Sequence, residues 1–333
     1  MAKGIKGIEK SPSQLYKIFI LYNWLGFFAG IPYSAFPIKL ILFLHTILNE
    51  TIKRIKHLIK KLLGENGFAK IERQIRAVYL FFVRLPQWLV SLFTRCNIPL
   101  TPNEKQLIQL KDSHAGERCF IIGSGPSLTF RDLMRLNGEQ TFVSNSFYRC
   151  LSEVDFRPKY YCITDINAIY DEDDSVVREK LDIFEHVPCE IKFFSKDLLR
   201  IGGIKTLSQV VWFRQKSYLL DGKSRKMIYD MRRCITSSYT VTHAMVLIAA
   251  YMGFREIYLL GIDNNYKKGG SYFIQNYNNP DKVYPEFQKD KATELYEYTE
   301  EFTKQIGVKV YNATRGGCLE AFERVDFDEI AGI

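Results

Sequence analysis

The 333 residues, 47% of them apolar, suit one large domain plus an appendage and can bury a sizeable core. Seven cysteines, at 96, 119, 150, 162, 189, 234 and 318, form no CxxC pair and have no zinc-like histidine spacing beside them. That excludes a disulfide framework and a metal knot, points to a reducing compartment, and makes each thiol read as a small buried hydrophobe. The net charge of +9 is uneven: residues 1–100 hold 15 Lys/Arg against 4 Asp/Glu, so the rest of the chain carries −2.

The basic third also holds the long apolar runs. Ile18 to Phe36 is broken by Asn23, Gly26, Gly30, Pro32 and Ser34, and Ile38 to Leu48 follows with Lys39 and His45. A hydrocarbon span needs ~20 apolar residues, and the proline and two glycines argue against a straight spanning helix. From Ile52 to Leu63, Ile/Leu alternate with Lys/Arg at helical spacing, and Ile71 to Phe93 continues the pattern with Trp88 and several Phe. Residues 1–100 are therefore expected to be an α-helical amphipathic arm on an anionic membrane surface; the alternative is a helical subdomain packed on the catalytic part or on a partner chain. Cations interleaved with so many aliphatics favour lipid over nucleic acid. The first apolar run has no small-residue cleavage site, so no cleaved signal peptide is expected.

Residues 101–116, with Pro102, Asp112, Ser113 and Gly116, read as a linker, and 117–333 as the catalytic domain. There, strands are expected near 118–123, 141–145, 159–164, 190–194, 209–213, 256–261 and 308–311. Helices are expected near 127–136, 175–184, 239–253 and 290–306. This alternation predicts an α/β fold, a Rossmann-like, mostly parallel sheet with helices on both faces.

Ligands in such sheets bind beyond the carboxyl ends of the strands. Polar clusters are predicted there: Gly123-Ser124-Gly125, Asn145-Ser146, Thr164-Asp165 and Gly261-Ile262-Asp263-Asn264. In the first, Gly123 and Gly125 let the backbone approach an anion, while Ser124 and Ser127 offer hydroxyls; Ser127 also reads as the N-cap of the next helix. Thr236, Ser237, Ser238, Tyr239 and Thr240 precede a helix that stops at Gly253, a second candidate anion site.

GSGPSL, Asn145 in VSNSFY, the ITSS-helix-YLLGID block and the tyrosines after it resemble the bacterial sialyltransferases of glycosyltransferase family 42. The wider relatives are the motility-associated-factor-type nonulosonate transferases, and the core is shared with 6-hydroxymethylpterin pyrophosphokinase-like proteins. The resemblance spans roughly residues 117–325 and implies a GT-A-like variant of the fold. It implies that Gly123, Ser124, Gly125, Ser127, Asn145, Thr236, Ser237 and Ser238 surround the cytidine monophosphate of a CMP-sugar, and Asp165, in its own strand-end cluster, is a further candidate contact. Two tyrosines six apart, here Tyr266 and Tyr272, would donate to the departing phosphate. Neutral phenols can stabilise that leaving group without a metal, so no cofactor or metal is required beyond the donor itself.

One departure concerns the base. The family's catalytic histidine lies downstream of the tyrosines, and this chain has no histidine after His243. Asp263 ranks first as the acceptor-activating base, ahead of His243 and Asp165. The C-terminal YNATRGG segment resembles the end of these transferases, making Asn312 and Thr314, with Arg315, Gly316 and Gly317, candidate base or ribose contacts. Lys267 to Lys289, rich in Gly, Asn, Tyr and Lys, reads as a lid.

Together these features suggest a transferase on the cytoplasmic face of the inner membrane, peripheral or monotopic. It would move a CMP-activated sialic acid, Kdo, legionaminic or pseudaminic acid onto a glycan or lipid-linked acceptor, with a homo-oligomer compatible. The alternatives are a Mg²⁺-dependent pterin pyrophosphokinase-like ATP enzyme, with Asp165 and Asp263 as metal ligands, and an inactive nucleotide-binding scaffold.

Overall fold

A computed structural model of the chain describes residues 98–217, 227–265, 273 and 286–332. The chain divides into two units, Met1–Leu92 and Phe93–Ile333, and the described residues belong to the second. The arm up to residue 97, Tyr266, Tyr272 and all of the Lys267 to Pro285 stretch except Phe273 lie outside them.

Eight strands form one sheet, all of whose pairings are parallel. They are β1 (Arg118–Ile122), β2 (Thr141–Ser144), β3 (Tyr160–Ile163), β4 (Ile191–Ser195), β5 (Val210–Phe213), β8 (Glu256–Leu260), β9 (Lys309–Asn312) and β10 (Glu323–Arg324). β6 (Gln215–Ser217) and β7 (Ile235–Ser237) form a separate parallel pair. The order in the main sheet is β10-β9-β8-β1-β2-β3-β4-β5. The chain builds outward from β1 to β5, then returns beside β1 as β8 and builds the other way. The strand order reverses between β1 and β8, the place where open parallel sheets open a crevice.

The helices are α1 (Pro102–Leu110), α2 (Phe130–Arg135), α3 (Asp174–His186), α4 (Val241–Met252), α5 (Glu286–Gln305) and α6 (Phe327–Ile330). They cover both faces, and β1 shows how. Its alternate residues Cys119 and Ile121 join the core under α4, with Tyr296 of α5, while Phe120 and Ile122 join the core with Leu133 of α2 and Val177 and Phe184 of α3. The period of two in β1 thus serves two cores. α4 is mostly aliphatic on every side and is buried from Thr242 to Met252, as such a helix must be. Each fully buried Leu, Ile, Val or Met there contributes roughly 1.5–3 kcal/mol of transfer free energy.

Three expectations need correction. The stretch expected as linker contains α1, which starts at Pro102 after the N-cap Thr101, whose hydroxyl accepts from Glu104 N at 3.1 Å. α1 is tied to the sheet: Asn103 Nδ2 donates to Trp212 O at 2.9 Å and Asn103 Oδ1 accepts from Trp212 N at 2.7 Å. The helix after the glycine turn starts at Phe130, and its N-cap is Thr129, not Ser127. Finally, Cys318 is exposed, unlike Cys119, Cys150 and Cys162, which sit in the cores. Among the described residues no helix is long and apolar enough to cross a membrane.

Candidate functional site

Because every strand of the main sheet runs the same way, the ends of β1, β2, β3, β8 and β9 open on one rim. Gly123 follows β1, Asn145 follows β2, Asp165 stands two residues beyond β3, and Gly261 to Asn264 follow β8. At the β1/β8 reversal the two turns interlock. Gly123 N donates to Leu260 O at 2.8 Å and Gly125 N donates to Gly261 O at 2.9 Å. A methyl group on Gly123 would overlap Gly261 O, and one on Gly125 would overlap the Asp263 carboxylate, which is why both positions need glycine.

The anion held at this turn is the protein's own. Ser127 Oγ donates to Asp263 Oδ2 at 2.7 Å, and Ser127 N lies 3.5 Å from the same oxygen. Asp263 is only 8% exposed. Burial pushes its pKa above the ordinary 3.8, and the Ser127 hydrogen bonds pull the other way. The backbone of Asp263 is held as well: its carbonyl accepts from Cys318 N at 2.7 Å. Gly317, at φ +76°, packs so closely that a methyl group there would come within 2.9 Å of that carbonyl oxygen.

Ser127, Gly123 N and Gly125 N are thus engaged within the protein, and so is the start of α2. The helix closes its own N-terminus with a capping box, Asp132 N donating to Thr129 Oγ1 at 3.2 Å and Thr129 N to Asp132 Oδ2 at 3.0 Å. Above the turn, Phe273 N donates to Ser124 O at 3.0 Å, and the Phe273 ring packs against Phe130 and Phe147.

Two rim residues other than glycine adopt left-handed backbone, Asn145 after β2 (φ 53°) and Asn264 after β8 (φ 50°), as does Tyr239 after β7 of the separate pair (φ 56°). Such conformations cost of order 1–3 kcal/mol and cluster where structure serves a site. Asn145 O accepts from the Tyr161 hydroxyl, while its side-chain Oδ1 is buried without a hydrogen-bond partner. Asn264 is 6% exposed; its Nδ2 donates to Thr293 Oγ1 of α5 at 2.9 Å, and its Oδ1 is likewise buried and unpartnered.

The remaining candidates are placed as follows. Asp165 is exposed, and its Oδ1 accepts from Asn167 N and Nδ2, each at 3.0 Å. Thr236 Oγ1 accepts from Ile228 N at 2.8 Å, and Ser237, at the end of β7, is buried. The start of α4 is capped by Thr240, whose hydroxyl meets Thr242 N at 3.3 Å and Tyr296 OH at 3.2 Å. His243 is fully buried, with Nδ1 2.7 Å from Thr299 Oγ1, and burial drives its pKa down to about 3. It is a neutral core group without solvent access in this conformation. Asn312 and Thr314 are buried and engaged internally: Asn312 Nδ2 donates to Leu319 O at 2.7 Å and Thr314 Oγ1 accepts from Ile262 N at 3.1 Å. Together they brace the turn carrying Asp263. Arg315 donates to Asp132 Oδ2 at 2.8 Å and to Asp328 Oδ1 at 2.9 Å, tying the same segment to α2 and α6.

Sequence reasoning named Asn264 only as a member of a polar cluster and missed the Ser127 to Asp263 pair. The Asn-Asn after GID was a readable signal for left-handed backbone, which asparagine tolerates best after glycine. No local pattern reveals a hydrogen bond between residues 136 apart.

Residues 96–269, just over half of the chain, match the family described as 6-hydroxymethylpterin diphosphokinase MptE-like. Among curated proteins none matches significantly. Among solved structures, the MAf glycosyltransferase from Magnetospirillum magneticum AMB-1 is similar at 15% identity and a TM-score of 0.41, over 65% of this chain and 35% of that one. This chain thus spans about a third of that protein's length. The sialyltransferase CstII from Campylobacter jejuni, in complex with cytidine-5'-monophosphate, is similar at 16% identity and a TM-score of 0.35, over 63% of this chain and 87% of that one. At such low identity and TM-score neither likeness assigns an activity. The family match rests on the segment that carries the glycine turn, the β1/β8 crevice and Asp263, and by it the chain belongs to the MptE-like family.

Proposed function

We propose that this protein is a glycosyltransferase that moves a CMP-activated nonulosonic acid, or a related sugar, onto a glycan or lipid-linked acceptor at a membrane surface. The observation that carries the reading is the Asp263 carboxylate. It is fixed over the glycine turn at the point of strand reversal, held by Ser127, and its protonation is favoured by burial. A carboxylate shifted toward neutrality in a ligand crevice is suited to take a proton from an acceptor hydroxyl. The donors of the glycine turn are already engaged, Gly123 N with Leu260 O, Gly125 N with Gly261 O and Ser127 Oγ with Asp263. The donor's nucleoside then fits there better than its phosphate, in keeping with a leaving group held by phenols such as Tyr266 and Tyr272.

The test is release of CMP from CMP-sialic acid, CMP-Kdo, CMP-legionaminic acid and CMP-pseudaminic acid by the full chain on anionic vesicles without added metal. Turnover of one donor, lost in Asp263→Asn and in the Tyr266→Phe, Tyr272→Phe double variant, is expected. Full activity of the double variant would remove the leaving-group role.

The family description favours a second reading, a diphosphokinase acting on a hydroxymethylpterin with ATP and Mg²⁺. Asp165 and Asp263 would hold the ion, yet β3 and β8, the strands they follow, are separated by β1 and β2. Three strand spacings put those ends about 14 Å apart, and Asp165 already caps its own turn. AMP formation from ATP and hydroxymethylpterin, with no CMP release, would select this reading instead.

A further inference from the structure

We propose that Asn264 is a specificity-determining residue: with Asn145 on the other side of the glycine turn, it accepts a hydrogen bond from an N–H or O–H group of the donor's nucleoside. The inference rests on the nucleotide-sugar reading above and names the part of the donor that the crevice recognises. Its basis is a pair of matched anomalies. Asn145 and Asn264 both hold left-handed backbone, at φ 53° and 50°, and both bury a side-chain oxygen that has no partner. A buried polar atom left unpaired costs roughly 1–3 kcal/mol, so two at one rim call for a common cause.

The topology sets them on either side of β1. Ile122 is in register with Leu260 of β8, and Ile121 with Phe142 of β2, so the three strands end nearly level. β8 and β2 are two strand spacings apart, about 10 Å, which is the reach of a nucleoside from its base amine to its ribose hydroxyls. Between them stands the Asp263 carboxylate. The side-chain donors named here are already spent, Ser127 on Asp263 and Asn264 Nδ2 on Thr293, whereas the two unpartnered atoms, the amide oxygens of Asn145 and Asn264, are acceptors beside a carboxylate. Such a set suits a ligand that presents donors, and a cytidine has them in its exocyclic amine and its ribose hydroxyls. The Asn264 carboxamide is pre-oriented for this, because Thr293 of α5 takes its nitrogen at 2.9 Å and leaves the oxygen unpaired.

The test is calorimetric binding of CMP, UMP and 2′-deoxy-CMP to the full chain, as wild type, Asn264→Gly and Asn264→Asp. Glycine accepts the left-handed backbone, so the first variant removes the oxygen without strain; aspartate keeps an acceptor and also tolerates that backbone. Asn264→Gly is expected to weaken CMP about five- to tenfold, the loss of one hydrogen bond of ~1 kcal/mol. The nucleotide lacking the recognised group, UMP for the amine or 2′-deoxy-CMP for the hydroxyl, is expected to bind wild type and Asn264→Gly alike. Asn264→Asp is expected to keep the wild-type discrimination among the three. Unchanged CMP affinity in Asn264→Gly, or loss of discrimination in Asn264→Asp, overturns the inference and leaves the nucleotide-sugar reading standing. Failure of the wild type to bind any of the three overturns both.

Discussion

The interlocked turns at the β1/β8 reversal make a strong claim about Gly125. Its φ is not in the left-handed region, so alanine is allowed by the backbone and the cost of Gly125→Ala comes from space alone. The added methyl group would overlap Asp263 Oδ2 and stand 2.7 Å from both Asp263 Cγ and Gly261 O. Gly261 O cannot retreat, because Gly125 N already donates to it at 2.9 Å, so the carboxylate must leave Ser127. Losing a charge-assisted hydrogen bond costs ~1.5–3 kcal/mol, and overpacking adds about 1–3 kcal/mol. A total of roughly 2.5–6 kcal/mol lowers Tm by about 2–4 °C per kcal/mol in a domain of this size, hence by ~5–24 °C. The control is Gly202→Ala, where a methyl group meets nothing within 4 Å and φ is unremarkable. There the expectation is no loss, or a gain of about 0.4–1 kcal/mol from reduced chain entropy. Thermal unfolding followed by circular dichroism compares the two. If Gly125→Ala melts within about 2 °C of Gly202→Ala, the carboxylate does not fill the turn and the geometry of the site is wrong.

Other expectations concern charge. Because burial raises the Asp263 pKa above 3.8, the folded state holds a proton more firmly than the unfolded one, and this residue's contribution to stability falls as pH rises from 3.8 through the folded value. Asp263→Asn should flatten that part of the pH profile while abolishing turnover; an unchanged slope in urea unfolding would refute it. His243 behaves oppositely. Its pKa of about 3 lies below the ordinary 6.5, so stability is lost as pH falls from 6.5 toward 3, with a slope of up to ~1.4 kcal/mol per pH unit. His243→Gln should remove that slope, and an NMR titration of the wild-type ring should show it neutral throughout; a midpoint near 6.5 would contradict its burial. Arg315→Ala would leave the buried Asp132 without its cationic partner and should cost about 1–2 kcal/mol. Arg315→Lys is expected to recover only part of this, because lysine cannot span Asp132 and Asp328 with two nitrogens.

The sheet was legible in the sequence because its signal is local. Runs such as CFII and YLLG, closed by glycine or a polar turn, place each of the seven expected strands within a residue or so of its observed ends. What was lost depended on context. Pro102 reads as a breaker, although proline suits the first turn of a helix, and this hides α1 inside a stretch with the composition of a linker. Ser127 offers an earlier N-cap for the helix after GSGPS, although Thr129 and Asp132 spell the capping box that starts it. β6 and β10, at three and two residues, are too short to show a period. The rim was legible as a row of polar clusters, but its chemistry was not. That Ser127 holds Asp263, and that Asn145 and Asn264 bury unpaired oxygens, follows from strand order.

The central claim is that the β1/β8 crevice binds a cytidine nucleotide through groups that need no metal. Thermal shift of the full chain with CMP, CDP, UDP, GDP and ATP, each with and without Mg²⁺, tests it most directly, since a ligand that binds only the folded state raises Tm. A shift with CMP that is independent of Mg²⁺ and is lost in Asp263→Asn is the expected result; a shift confined to ATP with Mg²⁺ would contradict it.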